Sequence, residues 1–481
     1  INSLGFFQEN FEINQVEGSA PDRIILEANV EEQATGELQL SAGFSSLESF
    51  ILQGSIRQRN FRGRGQTVGL SLNYSRFSRS AQVSFSEPYV FDRNISAGVD
   101  IYRKDYSNFG FNRNNNSTFE QSTTGFSLRA GVPLSEYASL VGSYTLNHDD
   151  VSIDENRYFS DFDGDGIDSC EPLLAGRFLC DAIGARTSSI LGLTLSVDST
   201  DSRLRPTRGR NMAVTAQYAG LGGSVNYFRV NGKVGQYYPL PAGFILALTA
   251  EGGAIRSFED RGIPGTDDVR LTDRFFLGEP QLRGFDIRGV GPRVIRRPIR
   301  DIDGDGIGEV ITDQDQIQDD AIGGTAYYLG RAEIEIPLGT GARELGLRPS
   351  LFLDVGGLFN ITDPALLQNP FGNEFFNPLR AANGDPIYLN PGADPDVSTD
   401  DTVVAIPAGD PIPAGFVAQG SIIPAFEEVF LGDSASPRIS VGIGVNWNSP
   451  FGPFRIDLAH VLKKQEGDDT KLFSFNVGTQ F

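Results

Sequence analysis

The residues best equipped for chemistry are few and widely spaced. Two acidic stretches, "DFDGDGID" at Asp161–Asp168 and "DIDGDGIGE" at Asp301–Glu309, place Asp at the first, third and fifth positions, followed by glycine. That spacing suits a hard cation, which gathers several oxygens around a sharp turn. Asp161, Asp163 and Asp165 are the candidate ligands of the first loop; Asp301, Asp303, Asp305, the Ile307 carbonyl and Glu309 are those of the second. The twelfth position holds Pro172 and Thr312 rather than Glu, and no helical pattern flanks either loop. Solvated acidic turns are therefore the competing reading, and Ca2+ is an optional ligand, with no cofactor required. In "QLRGFDIRGVGPR" a glycine, Gly284, stands between Arg283 and Phe285. A guanidinium grips carboxylates through parallel N–H groups, but an isolated Arg-Gly-Phe is equally a solvated loop. Cys170 and Cys180 are the only cysteines. Their short spacing suggests one local disulfide in an oxidising compartment, with two unrelated buried thiols as the alternative. His148 and His460 lie far apart, and no nucleophile elbow, P-loop or zinc spacing is present. The expectation is that the protein is not an enzyme.

The 481 residues carry 62 Asp and Glu against 40 Lys and Arg, a formal charge of −22. Nucleic acid is a poor partner for such a surface. No apolar run approaches the roughly 18 residues that a membrane-spanning helix needs. No basic and apolar leader opens the sequence, so any signal peptide has been removed or the sequence starts internally.

What must position these residues is a long series of strands. In "ELQLSAGF" Leu38, Leu40, Ala42 and Phe44 share one face, and Glu37, Gln39, Ser41 and Gly43 the other. "TVGLSLNY", "ISAGVDIY", "RISVGIGVNW" and "LFSFNVGTQF" repeat the period of two. Short turns ("NFRGRG", "VPLSEYA", "YPLPAGF", "NSPFGPF") alternate with long polar loops. A soluble sandwich explains the period but not that alternation, which is a habit of transmembrane barrels. About sixteen strands follow, near 35–45, 49–60, 66–78, 80–91, 94–106, 122–133, 138–152, 187–199, 210–220, 225–239, 243–257, 324–338, 349–360, 438–448, 454–463 and 470–481. The piece at 272–278 reads as loop. The Pro/Gly/Asp-rich stretch Thr362–Pro437 reads as an irregular outer loop. Residues 1–34 suggest the end of a helix and a two-strand hairpin, too short to bury a core alone.

Taken in order, "PDRIILEANVEEQATGELQLSAGFSS", "QRNFRGRGQ", "SFSEPYVFDR", "RPTRGRNMAV", "QLRGFDIRGVGPR", "GGTAYYLGRAEIEIPLG", "LFLDVGGLF" and "NWNSPFGPFRIDLA" resemble the BamA family of outer-membrane barrel-assembly factors. The resemblance runs almost end to end. It implies an all-β fold: a 16-stranded antiparallel transmembrane barrel at 35–481, preceded at 1–34 by a fragment of the last POTRA domain. It implies a bacterial outer-membrane location with a periplasmic N-terminus, a lipid bilayer, unfolded β-barrel clients and accessory assembly lipoproteins as partners, and insertion of those clients as the function. It makes Arg283, Gly284 and Phe285 the family's RGF motif, on a loop at about 258–323 folded into the lumen, with Glu333 and Asp354 as its acidic partners. Strand parity agrees. Ala332, Ile334 and Ile336 share one face and leave Glu333 on the other; Leu351, Leu353 and Val355 do the same for Asp354. The family's paired glycine before the motif is replaced by Glu279 and Pro280, which implies a stiffer approach of the loop.

The resemblance further implies a lateral gate between the first and last strands. Glu37, Leu38, Gln39, Leu40, Gly43 and Phe44 stand on one side, and Phe475, Val477, Gly478 and Phe481 on the other. Gly43 and Gly478 offer no side chain to pack, which favours a weak seam. Two other functions fit a barrel of this kind: a related secretion pore exporting a large partner protein, and a passive porin or calcium-binding adhesin.

Overall fold

The computed structural model describes residues 6–7, 12–20, 23–45, 49–107, 119–160, 168–203, 205–313, 316–339, 346–372, 376–378, 381, 385–390, 403–407, 410–449 and 452–477. Sixteen strands close into one antiparallel barrel. They are β1 (Gly36–Ser45), β2 (Ser49–Phe61), β3 (Gln66–Ser75), β4 (Ser78–Glu87), β5 (Ser96–Ser107), β6 (Phe119–Pro133), β7 (Ala138–Ile153), β8 (Gly184–Asp198), β9 (Gly209–Gly223), β10 (Tyr227–Pro239), β11 (Ile245–Ser257), β12 (Ala326–Glu335), β13 (Leu347–Phe359), β14 (Arg438–Ser449), β15 (Gly452–Lys463) and β16 (Phe473–Val477). Each strand bonds its successor, and β16 meets β1. Closure matters because an unpaired backbone edge cannot be satisfied in hydrocarbon.

The alternation has the expected polarity. Leu38, Leu40, Leu72, Ile101, Leu193, Leu353 and Ile443 are exposed on the outer wall. Asp100, Asp149, Asp354 and Asp457, one register step away from such residues, are buried on the inner side. A polar lumen inside an apolar wall is the inverse of a soluble core, and it is the arrangement a bilayer stabilises. Strands β6–β9 have 15 or 16 residues each, more than the roughly 9–11 needed to cross, so they extend past the apolar band.

The main apolar core lies where the long loops gather. Val151 and Ile153 at the end of β7 pack with Ala175 and Leu179 from two short helices (Pro172–Ala175 and Arg177–Cys180). Leu271, Val294 and Ile322 from the long loop after β11 complete the cluster. A disulfide joins Cys170, in the short strand Ser169–Cys170 just before the first helix, to Cys180 at the end of the second.

One expectation fails here. The segment 362–437 is not irregular throughout: strand Phe426–Leu431 pairs along Arg293–Arg300, which also binds Gln318–Ala321. Its many prolines hide a strand because Phe426 and its neighbours pair with a sheet from another loop rather than with the barrel. Ends also shift. The strand expected at 80–91 stops at Glu87 before a 3-10 turn at Val90–Asp92, and β16 starts at Phe473 instead of 470. The piece at 272–278 lies off the barrel and contains a 3-10 turn at Leu271–Asp273. Of the first 34 residues, strands Glu12–Glu17 and Ile24–Asn29 form a separate hairpin; the expected helix end lies outside the described residues.

Burial pushes the Asp320 carboxyl in the loop sheet up to about 7, against the hydrogen bond from Gln318 and the charge of Arg296 and helped by Asp319 and Glu428. Because the folded value is raised, its stabilising contribution is complete below the ordinary carboxylate range and is lost as pH rises through about 7. Protection factors of the Gln318–Ala321 amides, taken relative to intrinsic exchange at each pH, are thus expected to be larger at pH 5 than at pH 8, and Asp320→Asn should flatten that difference. Replacing both cysteines by serine opens a loop with ends 10 residues apart. It should cost the loop helices roughly 2–3 kcal/mol, seen as faster proteolysis between β7 and β8 with the barrel intact.

Candidate functional site

The long loop between β11 and β12 turns back into the lumen at Gly278–Val290. Leu282 and Phe285 are completely buried, packed with Leu277, Val290, Leu329 and Leu358. These apolar anchors aim Arg283, itself 3% exposed, at the wall. Its Nε and Nη2 each donate to Asp354 at 2.7 Å, Nη1 donates to Glu333 at 2.9 Å, and Asp457 lies 3.6 Å from Nη1. The guanidinium lies 3.4 Å from the centroid of the Phe352 ring. Burial alone would lower the Arg283 pKa, but the Asp354 hydrogen bonds and the charges of Asp354, Glu333 and Asp457 raise it overall. The arginine stays charged.

The carboxylates are held in turn. Arg331 donates to Asp354 at 3.2 Å and to the Gln281 carbonyl at 2.8 Å. Arg455 forks Asp457 at 2.8 and 3.1 Å. Ser350 donates to Glu333 at 2.7 Å, and the Ser440 hydroxyl donates to the Arg283 carbonyl. Gly284 has φ 89°. A Cβ there would meet Ser440, Ala459 and Val461 at 3.1–3.2 Å, so glycine answers both the left-handed backbone and the close approach. Phe285 bridges Thr470, and Lys471 N–H donates to the Gly284 carbonyl at 3.0 Å. Glu279, at the place of the expected glycine, accepts from Lys471 Nζ at 2.8 Å.

Sequence reasoning missed Asp457, Arg331 and Arg455. The period that turned Glu333 inward also turns Asp457 inward, since Ile456 and Leu458 are exposed outside. It missed a second anchor entirely. Arg186 on β8 donates to Asp273 at 2.5 and 3.1 Å, with Asp149 of β7 at 3.7 Å. The loop is thus tied to two separate parts of the barrel wall.

At the seam, β1 and β16 meet through Phe44↔Val477 and Ser45↔Asn476. Among the described residues, Gly36–Gly43 have no strand partner on that edge, although all pair with β2 on the other. Glu37 is 2.8 Å from Arg59, and Leu38 and Leu40 are exposed. Phe475 stacks near Phe454, ring centroids 6.3 Å apart. Gly478 and Phe481 lie outside the described residues.

Of the two acidic loops, Asp161, Asp163 and Asp165 also lie outside them. Asp301, Asp303 and Asp305 are exposed and hold one carboxylate oxygen each within 4.8 Å of the others. Asp301 accepts from Gly304 and Gly306 N–H, and Glu309 from Ile302 N–H at 2.9 Å. These bonds build an acidic turn by themselves.

The Omp85 superfamily domain model matches residues 60–481. The chain belongs to the Omp85 superfamily. The barrel is similar along its full length to the outer membrane protein assembly factor BamA of Neorickettsia risticii, 26% identical over 485 residues. BamA of Neisseria meningitidis serogroup B is 24% identical over 494 residues, again with all of this chain covered. The chain spans about half the length of these curated relatives, 50% and 51%. BamA from Haemophilus ducreyi lacking POTRA domains 1–3 shares the fold, with TM-score 0.66 and 20% identity over 99% of this chain and 76% of that one. The architecture is that of an Omp85 outer-membrane barrel.

Removing the guanidinium strands buried carboxylates, a loss of about 3–5 kcal/mol when a buried pair is broken. Arg283→Ala is expected to release the loop, read as new protease cleavage within 278–293 and a lower melting temperature. Arg283→Lys should restore the charge but not the fork, giving an intermediate value.

Proposed function

We propose that the chain is the membrane part of an outer-membrane insertase that folds and inserts β-barrel proteins. The observation carrying this reading is the seam. Every other junction in the barrel joins strands consecutive in the chain, whereas β1 and β16 are its first and last strands and close it by backbone pairing alone, through Phe44↔Val477 and Ser45↔Asn476. That junction is the one where a barrel can part without pulling on a connecting loop, and a client strand can take up the backbone groups it frees. Residues Glu37–Phe44 would then offer an edge onto which the C-terminal strand of a client adds by β-augmentation. The names borne by the similar proteins support this assignment. No covalent bond is made or broken in it.

Under this reading the N-terminal hairpin is the tail of a last POTRA domain on the periplasmic side, where accessory lipoproteins would act. The Arg283 cluster holds the lumenal loop while the seam works. The acidic loops need no metal for the activity.

A cysteine pair at Phe44 and Val477, oxidised in the full-length protein in cells, is expected to abolish assembly of new barrel proteins, with recovery on reduction. Normal assembly in the locked barrel sinks the proposal. Depletion separates the alternative: loss of many unrelated barrels supports insertion, and loss of one secreted protein supports export.

A further inference from the structure

The outer wall changes character along three aligned rows of residues at the long-loop ends of β3–β7. The first row is apolar: Leu70, Val83, Ile101, Phe126 and Leu146 stand in register. One step further out, Leu72, Ala81, Arg103, Thr124 and His148 are aligned. A second step brings Tyr74, Arg79, Asp105 and Ser122 together. The switch from aliphatic to charged side chains on a wall that faces lipid marks the level where acyl chains give way to headgroups.

Three arginines gather there in a chain of net charge −22. Arg103 keeps 62% of its side chain exposed while donating from Nε to Asp105 at 3.2 Å. Arg79 lies over the Tyr74 ring at 5.4 Å, and Arg76 over Phe77 at 5.1 Å. Aromatic faces hold guanidinium groups flat and leave their N–H edges for an anion. Asp105 is the carboxylate within the group, and Asp150 lies two strands along.

A groove of about 450 Å³ opens on the same wall. Val99, Ile101, Phe126 and Leu146 form its apolar floor, and Thr124, His148 and Thr187 its polar upper rim. Arg103 stands beside that rim, directly opposite Thr124. An apolar trough under a cationic ledge matches one kind of molecule: an amphiphile with an acyl chain below and phosphate above.

We infer that this wall binds a phosphate-headed anionic lipid, its acyl chain in the groove and its phosphate on Arg103 and Arg79. Two arginine forks match the oxygens of a phosphate monoester, whereas a zwitterionic headgroup carries its own cation against them. The inference rests on the membrane-barrel fold and not on the insertase reading, so either can fail alone.

The test uses the whole folded chain in detergent, with dioleoyl phosphatidic acid or dioleoyl phosphatidylcholine added at equal mole fraction and bound lipid counted by native mass spectrometry. Retention of phosphatidic acid should exceed phosphatidylcholine by about ten-fold, given the attraction of an anionic lipid surface for each basic residue. Arg79→Ser with Arg103→Ser should bring the two lipids level while leaving the melting temperature unchanged. If that double variant does not fold, Arg103→Ser alone must lower the preference, and Asp105→Asn must raise it. Equal retention by the native chain, or a preference that survives the arginine variants, overturns the site. Full displacement of phosphatidic acid by inorganic phosphate would make it an anion site without a lipid, and overturns the inference as well.

Discussion

The structure depends on keeping charge neutral inside a closed wall. Arg283, Arg331 and Arg455 meet Glu333, Asp354 and Asp457, three cations against three anions within mutual reach. Isolated ions at this depth would cost several kcal/mol each in desolvation, and only a balanced, hydrogen-bonded set offsets that cost. Such a set contributes little net stability. What it supplies is placement: the loop has one seat, because every other position leaves carboxylates unpaired. Gly284 and the apolar pair Leu282 and Phe285 bring the guanidinium there, and the Phe352 ring closes the far side of it.

Much of this was legible in the sequence, for one physical reason. A period of two assigns each strand residue to a face, and once Leu351 and Leu353 are outside, Asp354 must be inside. The sixteen strands and the inward direction of Glu333 follow from the same rule. The rule is silent on loops. Arg186 has a legible face, but its partner Asp273 sits in a 3-10 turn with no period to read. Strand Phe426–Leu431 was hidden for the related reason that its partner comes from a different loop, over a hundred residues away in sequence.

The loops form more than a lid. The two short helices inside the disulfide loop, the Arg293–Arg300 sheet and the end of β7 share one apolar cluster. Arg296 links them by donating to the Leu173 carbonyl at 2.6 Å and to Glu428 at 2.7 Å. The barrel therefore carries a compact soluble-type core at one end and a polar lumen below it. The lumenal loop belongs to both.

Lys471 and Thr470 give the same arrangement a mechanical meaning. The tip of the loop grips the chain immediately before β16, through the Gly284 carbonyl, the Phe285 bridge and Glu279. The guanidinium beside it binds carboxylates on β12, β13 and β15. The wall next to the seam is thus stapled as a block, and the last strand enters it with its root clamped. Along Phe473–Val477 that strand stays bonded to β15, so a load on it is shared with the block behind it. One lip of the seam is thus braced from inside the lumen at Thr470–Lys471, and the other, β1, by its ladder with β2.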